Sequence, residues 1–453
     1  MCINSQTPPI RPLPGSAGRG TEPWRLGRDY EPNVGGVVPM MRALLRSSVG
    51  SWVAPAPRWV SLGAPGLPEE VVTDEGYLVE TFSIDATTRA GYLRFKEAVW
   101  KSFHRPTEFS FPYDDYREFI EYGYRTADRL LRRVPDYDLF YVNDFQQVVV
   151  GTLIGAAAPA LLRWHIPLDL KGYPEPIRRF FLKSMEGFDG IVVSTRSGLE
   201  ELIHAGFQGR AFQLYPYVDP REQFTASDSA VAALRHRLGL PPDSSVVLSV
   251  SRLDPVKRQD LLLEAFAQVR HSHPEAHLLL VGGGSFSTGS RGAGAALSKD
   301  EAWNRRLQRL VRTLKLEGTV TLSGSLSPEE VQAAYTLSSV FVHPAPWEGF
   351  GLVAVEAWMH KLPVVASRGA GVSELIDDDL NGFSLPPGSV RAMAHRISQL
   401  LAHRDLGEKM GEAGWMTARR CTVDRAAPRL REIFDRVIRM YEWRGQRGGR
   451  RAP

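Results

Sequence analysis

Short apolar runs separated by helical stretches recur along this chain of 453 residues, and this alternation constrains its fold more than any other feature. Apolar, β-branched runs predict strands over 59–62, 77–84, 138–142, 160–164, 188–194, 245–250, 277–281, 319–323, 340–343 and 362–367. Helical patterns lie between many of them, over 90–103, 113–133, 198–205 and 352–359, and another follows residue 260 and runs through Val269. Strands that alternate with helices are typical of parallel, doubly wound sheets. The sequence therefore predicts an α/β protein whose ligands gather at the carboxyl ends of strands.

Composition bounds the class of protein. The length suggests two or three domains, and the 43% hydrophobic and 23% charged residues are ordinary for a globular protein. A net charge of +4 is too small to indicate nucleic-acid binding. The two cysteines, Cys2 and Cys421, form neither a disulfide framework nor a metal-binding spacing, which favours a reducing cytoplasm. No secretory signal is visible, and the longest apolar run, 148–162, is too short to span a membrane.

One stretch combines glycines with two acids. The strand predicted over 340–343 is followed by Glu348, then by Gly349-Phe350-Gly351, and then by an apolar helix that contains Glu356. A helix that begins at glycines offers free backbone N–H groups and a positive dipole end, which suits an anion such as phosphate. Carboxylates accept hydrogen bonds from sugar hydroxyls. Anion-binding amides beside hydroxyl-binding acids therefore predict a nucleotide sugar as ligand.

The same stretch resembles the E-x7-E signature of retaining glycosyltransferases of the large family 4, which have the GT-B fold. Without the family, the alternative is a strand, loop and helix with two incidental acids. The resemblance covers nearly the whole chain from Gly35 onward. It implies two Rossmann-like, doubly wound domains with a cleft between them. They would be an acceptor-side domain over 1–218 and a nucleotide-sugar domain over 219–425. In 426–453 a helix would cross back to the first domain and end in a basic tail.

The predicted strand over 245–250 ends in a loop that carries Arg252 and Lys257, five positions apart. The resemblance implies that these two cations clamp the diphosphate of the donor. Such a clamp would stabilise negative charge as the nucleoside diphosphate leaves, with arginine as a fork and lysine as a point charge. The alternative is a solvated basic loop.

For the acidic stretch, the resemblance implies a division of roles. Glu348 would bind hydroxyls of the transferred sugar, and Glu356 would bind the ribose. Backbone amides would hold the diphosphate at Gly349, Phe350, Gly351 and Leu352.

The first half has weaker signals. Gly36 belongs to a Gly-Gly loop before a helical stretch, and in the resemblance this loop faces the donor diphosphate. Family members place an apolar strand just before this loop, whereas residues 1–34 show little pattern here. Asp144 and His165 follow two predicted strands, and their surroundings resemble the trehalose synthase and trehalose phosphorylase branch of the family. The resemblance implies that both line the sugar and acceptor side, although a lone histidine after a strand is often only structural.

A metal site is not expected. Asp377-Asp378-Asp379 looks like an Asp-x-Asp metal motif, but Asn381-Gly382 follows directly, and Asn-Gly is a strong hairpin signal. The expectation is therefore an enzyme that needs no cofactor and no metal.

Taken together, the sequence predicts a retaining hexosyltransferase. It would move a hexose, most simply glucose, from a nucleotide sugar to an acceptor, with glucose giving trehalose as the specific case. A sugar phosphorylase on the same fold, a nucleotide-sugar epimerase and a non-catalytic sugar-binding subunit remain alternatives. The expected partners are the donor and a sugar acceptor, without nucleic acid, and a homodimer is one candidate state. The nucleotide base, the hexose, the acceptor and the roles of 1–34 and 282–298 are not determined.

Overall fold

The computed structural model describes residues 1–16, 22–33, 35–48, 56–104, 109–283 and 299–448. The chain divides into two compact units. Unit 1 comprises Met1–Asp219 together with Val423–Pro453, and unit 2 comprises Pro220–Thr422. Most of the insertion 282–298, whose role the sequence left open, lies outside the described residues.

Unit 1 contains ten strands among its described residues. In chain order they are β1 (Cys2–Asn4), β2 (Ile10–Pro12), β3 (Tyr30–Pro32), β4 (Arg58–Leu62), β5 (Glu70–Val72), β6 (Leu78–Phe82), β7 (Phe140–Asn143), β8 (Ala160–Trp164), β9 (Gly190–Val193) and β10 (Ala211–Gln213). Eight of them form one sheet in the order β10-β9-β8-β7-β1-β4-β6-β5, while β2 and β3 pair as a separate antiparallel ribbon. Only the edge strand β5 runs antiparallel in the large sheet.

The helices of unit 1 cover this sheet. They are α1 (Val37–Ser48), α2 (Ala86–His104), α3 (Tyr116–Leu131), α4 (Val150–Ile154), α5 (Glu175–Glu186) and α6 (Arg196–His204), and the chain returns at its end with α14 (Val423–Gly448). One buried cluster joins Ile3 of β1 and Leu44 of α1 to Phe434 of α14. The C-terminal helix is therefore part of the core of unit 1.

Residues 1–34 contain a strand, although their sequence shows little pattern. Cys2–Asn4 forms the central strand β1, hydrogen-bonded on one side to β4 and on the other to β7. All three of its residues are buried. The ribbon of β2 and β3 separates this strand from the glycine loop, which is why no apolar run stands directly before Gly35.

Unit 2 is built on a six-stranded sheet in its described part. Its strands are β11 (Val246–Val250), β12 (His277–Val281), β13 (Val320–Gly324), β14 (Val340–His343), β15 (Val364–Ser367) and β16 (Gly382–Leu385). Its helices are α7 (Asp228–Leu238), α8 (Gln259–Ser272), α9 (Lys299–Thr313), α10 (Pro328–Thr336), α11 (Leu352–Met359), α12 (Val390–Ala402) and α13 (Arg404–Ala418).

The strand order of unit 2 is β13-β12-β11-β14-β15-β16, and every neighbouring pair is parallel. This is the doubly wound Rossmann order, in which the connections reverse direction between the first strand and the fourth. The corresponding reversal in unit 1 lies between β1 and β7. The predicted fold class, two Rossmann-like α/β units, is confirmed.

Two local predictions need correction. Asn381-Gly382 does not make a hairpin, because the turn over residues 377–381 leads into β16, which runs parallel to β15. The Asp378 carboxylate instead accepts a hydrogen bond from the backbone N–H of Ser384, at 2.6 Å. The C-terminal helix is also longer than a basic tail suggests, since α14 continues to Gly448. No helix of the described residues is long and apolar enough to cross a membrane.

Candidate active site

Two loops meet at the topological switch point of unit 2. The loop after β11 carries Lys257, and the loop after β14 carries Glu348, while β11 and β14 are the neighbouring strands between which the sheet reverses. The Lys257 ammonium donates to the Glu348 carboxylate, although the two residues are 91 positions apart. Their side chains are only 13% and 15% exposed. The sequence placed both residues at strand ends, and the fold brings them together there.

The Lys257 loop is held from several sides. The Asp254 carboxylate accepts the N–H of Val256 at 3.1 Å and caps the short 3₁₀ turn Pro255–Lys257. The buried Gln259 amide donates to Ser251 Oγ at 2.9 Å and to the Arg252 carbonyl at 2.8 Å. Because these contacts fix both ends of the turn, the backbone that carries Lys257 is held in place.

The loop after β12 also lies close to the loop that carries Lys257. Gly282 has φ +139°, and a Cβ there would lie 2.0 Å from the Ser251 carbonyl oxygen. Only glycine allows this approach, since an L side chain would both clash and be strained at that φ. Arg252 lies in the same loop as Lys257 and is partly buried. It is the second cation of the predicted clamp.

The helix α11 begins beside Glu348. Gly351, with φ +95°, is its N-cap residue, and a glycine has no side chain with which to cap the first turn. Phe350 is buried, and its carbonyl accepts the N–H of Val372 at 2.8 Å, which ties the loop to the segment after β15. Uncapped amides and the positive end of the helix dipole make this start able to receive an anion.

Glu356 has a partner that sequence reasoning missed. Tyr335 of α10 is fully buried, and its hydroxyl donates to Glu356 Oε2 at 2.8 Å. The Tyr335 ring stacks on His360, with centroids 5.1 Å apart and planes 16° from parallel. Burial raises the pKa of Glu356, whereas the hydrogen bond from Tyr335 lowers it. The contact joins residues 21 positions apart in different helices, so no local motif indicates it.

In unit 1, Asp144 and His165 also come together. They follow the adjacent strands β7 and β8, and the N–H of His165 donates to Asp144 Oδ1 at 3.3 Å. Asp144 has φ 73° and ψ 170°, a region occupied almost only by glycine that costs a side-chain-bearing residue about 1–3 kcal/mol. Burial raises the pKa of Asp144 to about 6. Backbone strain and a raised pKa at a strand end mark a candidate functional residue.

The protonation of His165 follows from its neighbour Asn143. The amide nitrogen of Asn143 donates to the carbonyls of Asn4 and Tyr141, at 3.0 and 3.2 Å, so its oxygen must accept. That oxygen lies 2.9 Å from His165 Nε2, which therefore carries the proton. Burial lowers the pKa of His165 well below its ordinary value, and the ring is neutral at pH 7. Its Nδ1 lone pair has no partner among the described residues and can accept a hydrogen bond.

Gly36 lies directly before α1 in unit 1, as the sequence indicated. Gly35 beside it has φ 126°, so the glycine pair makes a turn that other residues rarely adopt. The Asn33 amide anchors this turn by donating to the Pro8 and Ile10 carbonyls, at 2.8 and 3.2 Å.

No cluster of three or more histidine, cysteine or acidic side chains suited to a metal ion occurs among the residues described here.

Comparison with known proteins gives a family for the second half of the chain. Residues 231–415 match the family described as glycosyl transferases group 1. This region contains Arg252, Lys257, Glu348 and Glu356.

Curated relatives extend the match into unit 1. A D-inositol 3-phosphate glycosyltransferase from Streptomyces coelicolor is 30% identical over 339 residues, which cover 69% of this chain and 72% of the relative. A protein of the same name from Streptomyces bingchenggensis is 29% identical over 329 residues, which cover 67% of this chain and 68% of the relative. The remainder of each relative lies outside the match.

A similar solved structure is an alpha,alpha-trehalose-phosphate synthase (UDP-forming) from Burkholderia xenovorans in complex with glucose-6-phosphate. Its TM-score is 0.75 at 17% identity, and the match covers 96% of this chain and 99% of that one. At this identity the likeness shows the fold alone.

Proposed function

Because this chain belongs to the glycosyl transferases group 1 family, we propose that it moves glucose from UDP-glucose to a small sugar or polyol, with retention at the anomeric carbon. Family membership identifies the protein as a glycosyltransferase that uses a nucleotide sugar. The choice of uracil is supported by the name of the Burkholderia xenovorans synthase, which is UDP-forming. Glucose is the hexose that the sequence resemblance suggests.

The meeting of Lys257 and Glu348 beside the uncapped start of α11 carries the proposal. A nucleotide sugar presents phosphate charge next to sugar hydroxyls. At this switch point a cation and helix amides lie next to a carboxylate, which is the complementary arrangement.

Each residue then has a role. Arg252, Lys257 and the amides of Gly349, Phe350, Gly351 and Leu352 hold the diphosphate. The carboxylate of Glu348 accepts hydrogen bonds from the transferred sugar, and Glu356, held by Tyr335, accepts them from the ribose. In unit 1, Gly36 contributes backbone amides to phosphate binding, while Asp144 and the Nδ1 atom of His165 accept hydrogen bonds from hydroxyls of the acceptor or the sugar.

The chemistry follows from retention. The bond between the anomeric carbon and the phosphate oxygen breaks, and the acceptor oxygen bonds to that carbon on the same face. The departing phosphate oxygen takes the proton of the acceptor hydroxyl. The fixed cations matter most at this moment, because negative charge grows on the leaving diphosphate.

For the acceptor, we propose a six-carbon sugar or cyclitol whose six-membered ring carries several hydroxyl groups. The trehalose branch resembled by the sequence suggests glucose. The names of the relatives suggest an inositol phosphate, and the ligand of the solved neighbour suggests glucose 6-phosphate. All three present several ring hydroxyls to acceptors such as Asp144 and His165.

The test begins with a thermal-shift screen of UDP, GDP, ADP and TDP. The purified protein is then incubated with the matching glucose nucleotide and each of glucose, glucose 6-phosphate and inositol 3-phosphate. We expect stabilisation by UDP and an α-linked disaccharide or glucoside. Phosphate-dependent cleavage of a disaccharide would indicate a phosphorylase, and epimer release without an acceptor would indicate an epimerase. Either result would overturn the proposal.

A further inference from the structure

His343 is a buried histidine that the proposed function does not use. It is the last residue of β14 and is 2% exposed. Neither Nδ1 nor Nε2 has a hydrogen-bond partner among the described residues. A buried polar group without a partner is costly and uncommon in native proteins, so its retention at a strand end calls for a reason.

The surroundings of the ring point to Glu348. His343 Nε2 lies 3.8 Å from Glu348 Oε2, which is too far for a hydrogen bond but within about an ångström of one. The ring also packs against Gly351, where a Cβ would lie only 3.3 Å from Nε2. The Nε2 end of the imidazole therefore lies close to both the carboxylate and the start of α11.

In the structure, the Lys257 ammonium donates to that carboxylate. The proposed function requires the two groups to separate, because Lys257 must bind the diphosphate and Glu348 the sugar. A diphosphate carries more negative charge than one carboxylate and attracts the ammonium more strongly. Glu348 would then lose the ammonium that holds it in place.

We propose that His343 is a positioning residue that takes over Glu348 when Lys257 turns to the donor. The Glu348 carboxylate moves toward His343, whose Nε2–H donates to Oε2 and orients Oε1 toward the hydroxyls of the transferred sugar. This inference rests on the proposed function and deepens it, since it assigns two positions to one carboxylate.

The protonation state of His343 agrees with this role. Burial lowers its pKa to about 4; Glu348 opposes this shift and Lys257 adds to it. The ring is therefore neutral at pH 7 and carries one proton. With a carboxylate facing Nε2, the tautomer with the proton on Nε2 is favoured.

Three substitutions separate positioning from packing. His343→Gln keeps an N–H near the place of Nε2, His343→Asn shifts it to the place of Nδ1, and His343→Leu removes it. With UDP-glucose as donor, we expect His343→Leu and His343→Asn to lower kcat roughly ten- to hundred-fold, the loss typical of a hydrogen bond to a charged group. His343→Gln should stay within about three-fold of the wild type. The affinity for UDP should weaken in His343→Leu and His343→Asn and stay near the wild type in His343→Gln. UDP binding separates Lys257 from Glu348, and only a donor at the place of Nε2 compensates the carboxylate for this loss.

His277 offers a matched control. It is also a buried histidine of this sheet, at 3% exposure. It is the first residue of β12 and lies at the amino ends of the parallel strands, whereas His343 lies at their carboxyl ends. His277 Nε2 lies 2.9 Å from the hydroxyl of Thr321. His277→Leu should lower thermal stability while the folded protein keeps its kcat.

Two further measurements decide the matter. In a Glu348→Gln background, adding His343→Leu should cost no more than about two-fold, because the positioned group is already altered. A crystal structure of the wild type with UDP should show Lys257 on phosphate and Glu348 within about 3 Å of His343 Nε2.

The outcomes are distinguishable. If UDP-glucose turns over but His343→Leu matches the wild type, or if Glu348 stays on Lys257 with UDP bound, this inference is wrong and the proposed function stands. If UDP neither binds nor supports turnover, the proposed donor is wrong and the inference falls with it.

Discussion

At the scale of single residues, the ion pair of Lys257 and Glu348 joins the loops that follow β11 and β14. Both side chains are largely buried, and removing one partner of such a pair leaves the other charge uncompensated. Substitutions here therefore act on stability as well as on catalysis. Glu348→Gln is preferable to Glu348→Ala as a test, since it keeps the shape of the side chain.

We expect the two cations to affect turnover more than binding. Arg252→Ala or Lys257→Ala should lower kcat roughly ten- to a few-hundred-fold, because charge-assisted hydrogen bonds to the leaving diphosphate contribute about 1.5–3 kcal/mol each. Glu348→Gln should also lower kcat. Steady-state kinetics on proteins with native circular dichroism provide the measurement. Wild-type turnover in folded Lys257→Ala would contradict the site assignment.

Tyr335→Phe should affect Glu356 without touching the ligand. A ribose contact is similar in ground and transition states, so the variant should raise donor KM about three- to ten-fold and leave kcat unchanged.

The same variant should shift a pH dependence. The hydrogen bond from Tyr335 lowers the pKa of Glu356, so its loss should raise that pKa further above the ordinary value. Ionised Glu356 accepts from the ribose hydroxyls more strongly than the protonated acid does. UDP affinity should therefore weaken at a higher pH in Tyr335→Phe than in the wild type as pH falls. Calorimetric titration of both proteins from pH 8 to pH 5 tests this, because the titration of UDP itself cancels in their ratio. Identical pH profiles in the two proteins would show that Tyr335 does not influence the protonation of Glu356.

The candidate site residues could be predicted from the sequence only where they stand in a local motif. Glu348 and Glu356 share one strand, loop and helix, and Lys257 follows a clear strand. Tyr335 has no such signal, because its contact with Glu356 joins residues 21 positions apart in different helices. His343 stands in the same stretch as Glu348, but only the structure shows that its buried ring lacks a hydrogen-bond partner among the described residues. The backbone strain at Asp144 is likewise set by the ends of β7 and β8 and not by its neighbours in sequence.

At the scale of elements, the central position of β1 makes the first residues structural. Ile3 is fully buried in this strand. Ile3→Ala should lower the free energy of unfolding by about 2–5 kcal/mol, as expected for a buried aliphatic side chain. Val72→Ala is the control, since Val72 is 40% exposed on the edge strand β5 and should change stability by less than about 0.5 kcal/mol. Calorimetry would contradict the assignment if both variants behaved alike.

Most strands of four or five residues were predicted well. The strand expected over 160–164 is β8, and that expected over 340–343 is β14, because strands buried on both faces read as continuous apolar runs. The four-residue strand β16 was missed, and so were the strands β1, β2, β3, β5 and β10. For β1, β2, β3, β5 and β10 the reason is their length. Each has three residues, too few for periodicity to separate a strand from a loop.

At the scale of the whole molecule, the charges that face the proposed diphosphate are carried by side chains. In the proposed function, Arg252 and Lys257 provide the positive charge that a divalent ion supplies in other transferases. We therefore expect turnover to persist in excess EDTA. A strict requirement for Mg²⁺ or Mn²⁺, restored by adding the ion back, would show that the two cations are insufficient.

The return of α14 to unit 1 has a consequence for biosynthesis. On the ribosome, unit 2 emerges as one uninterrupted segment and can fold as soon as Thr422 is clear. Unit 1 is made first but must wait for its last helix, because Leu430 and Phe434 belong to its core. At 5–20 residues per second, translation of the intervening segment of about 200 residues takes roughly 10–40 s. A premature stop after Thr422 would therefore damage the half of the protein that was synthesised first, and the nascent first unit is the one that chaperones should hold.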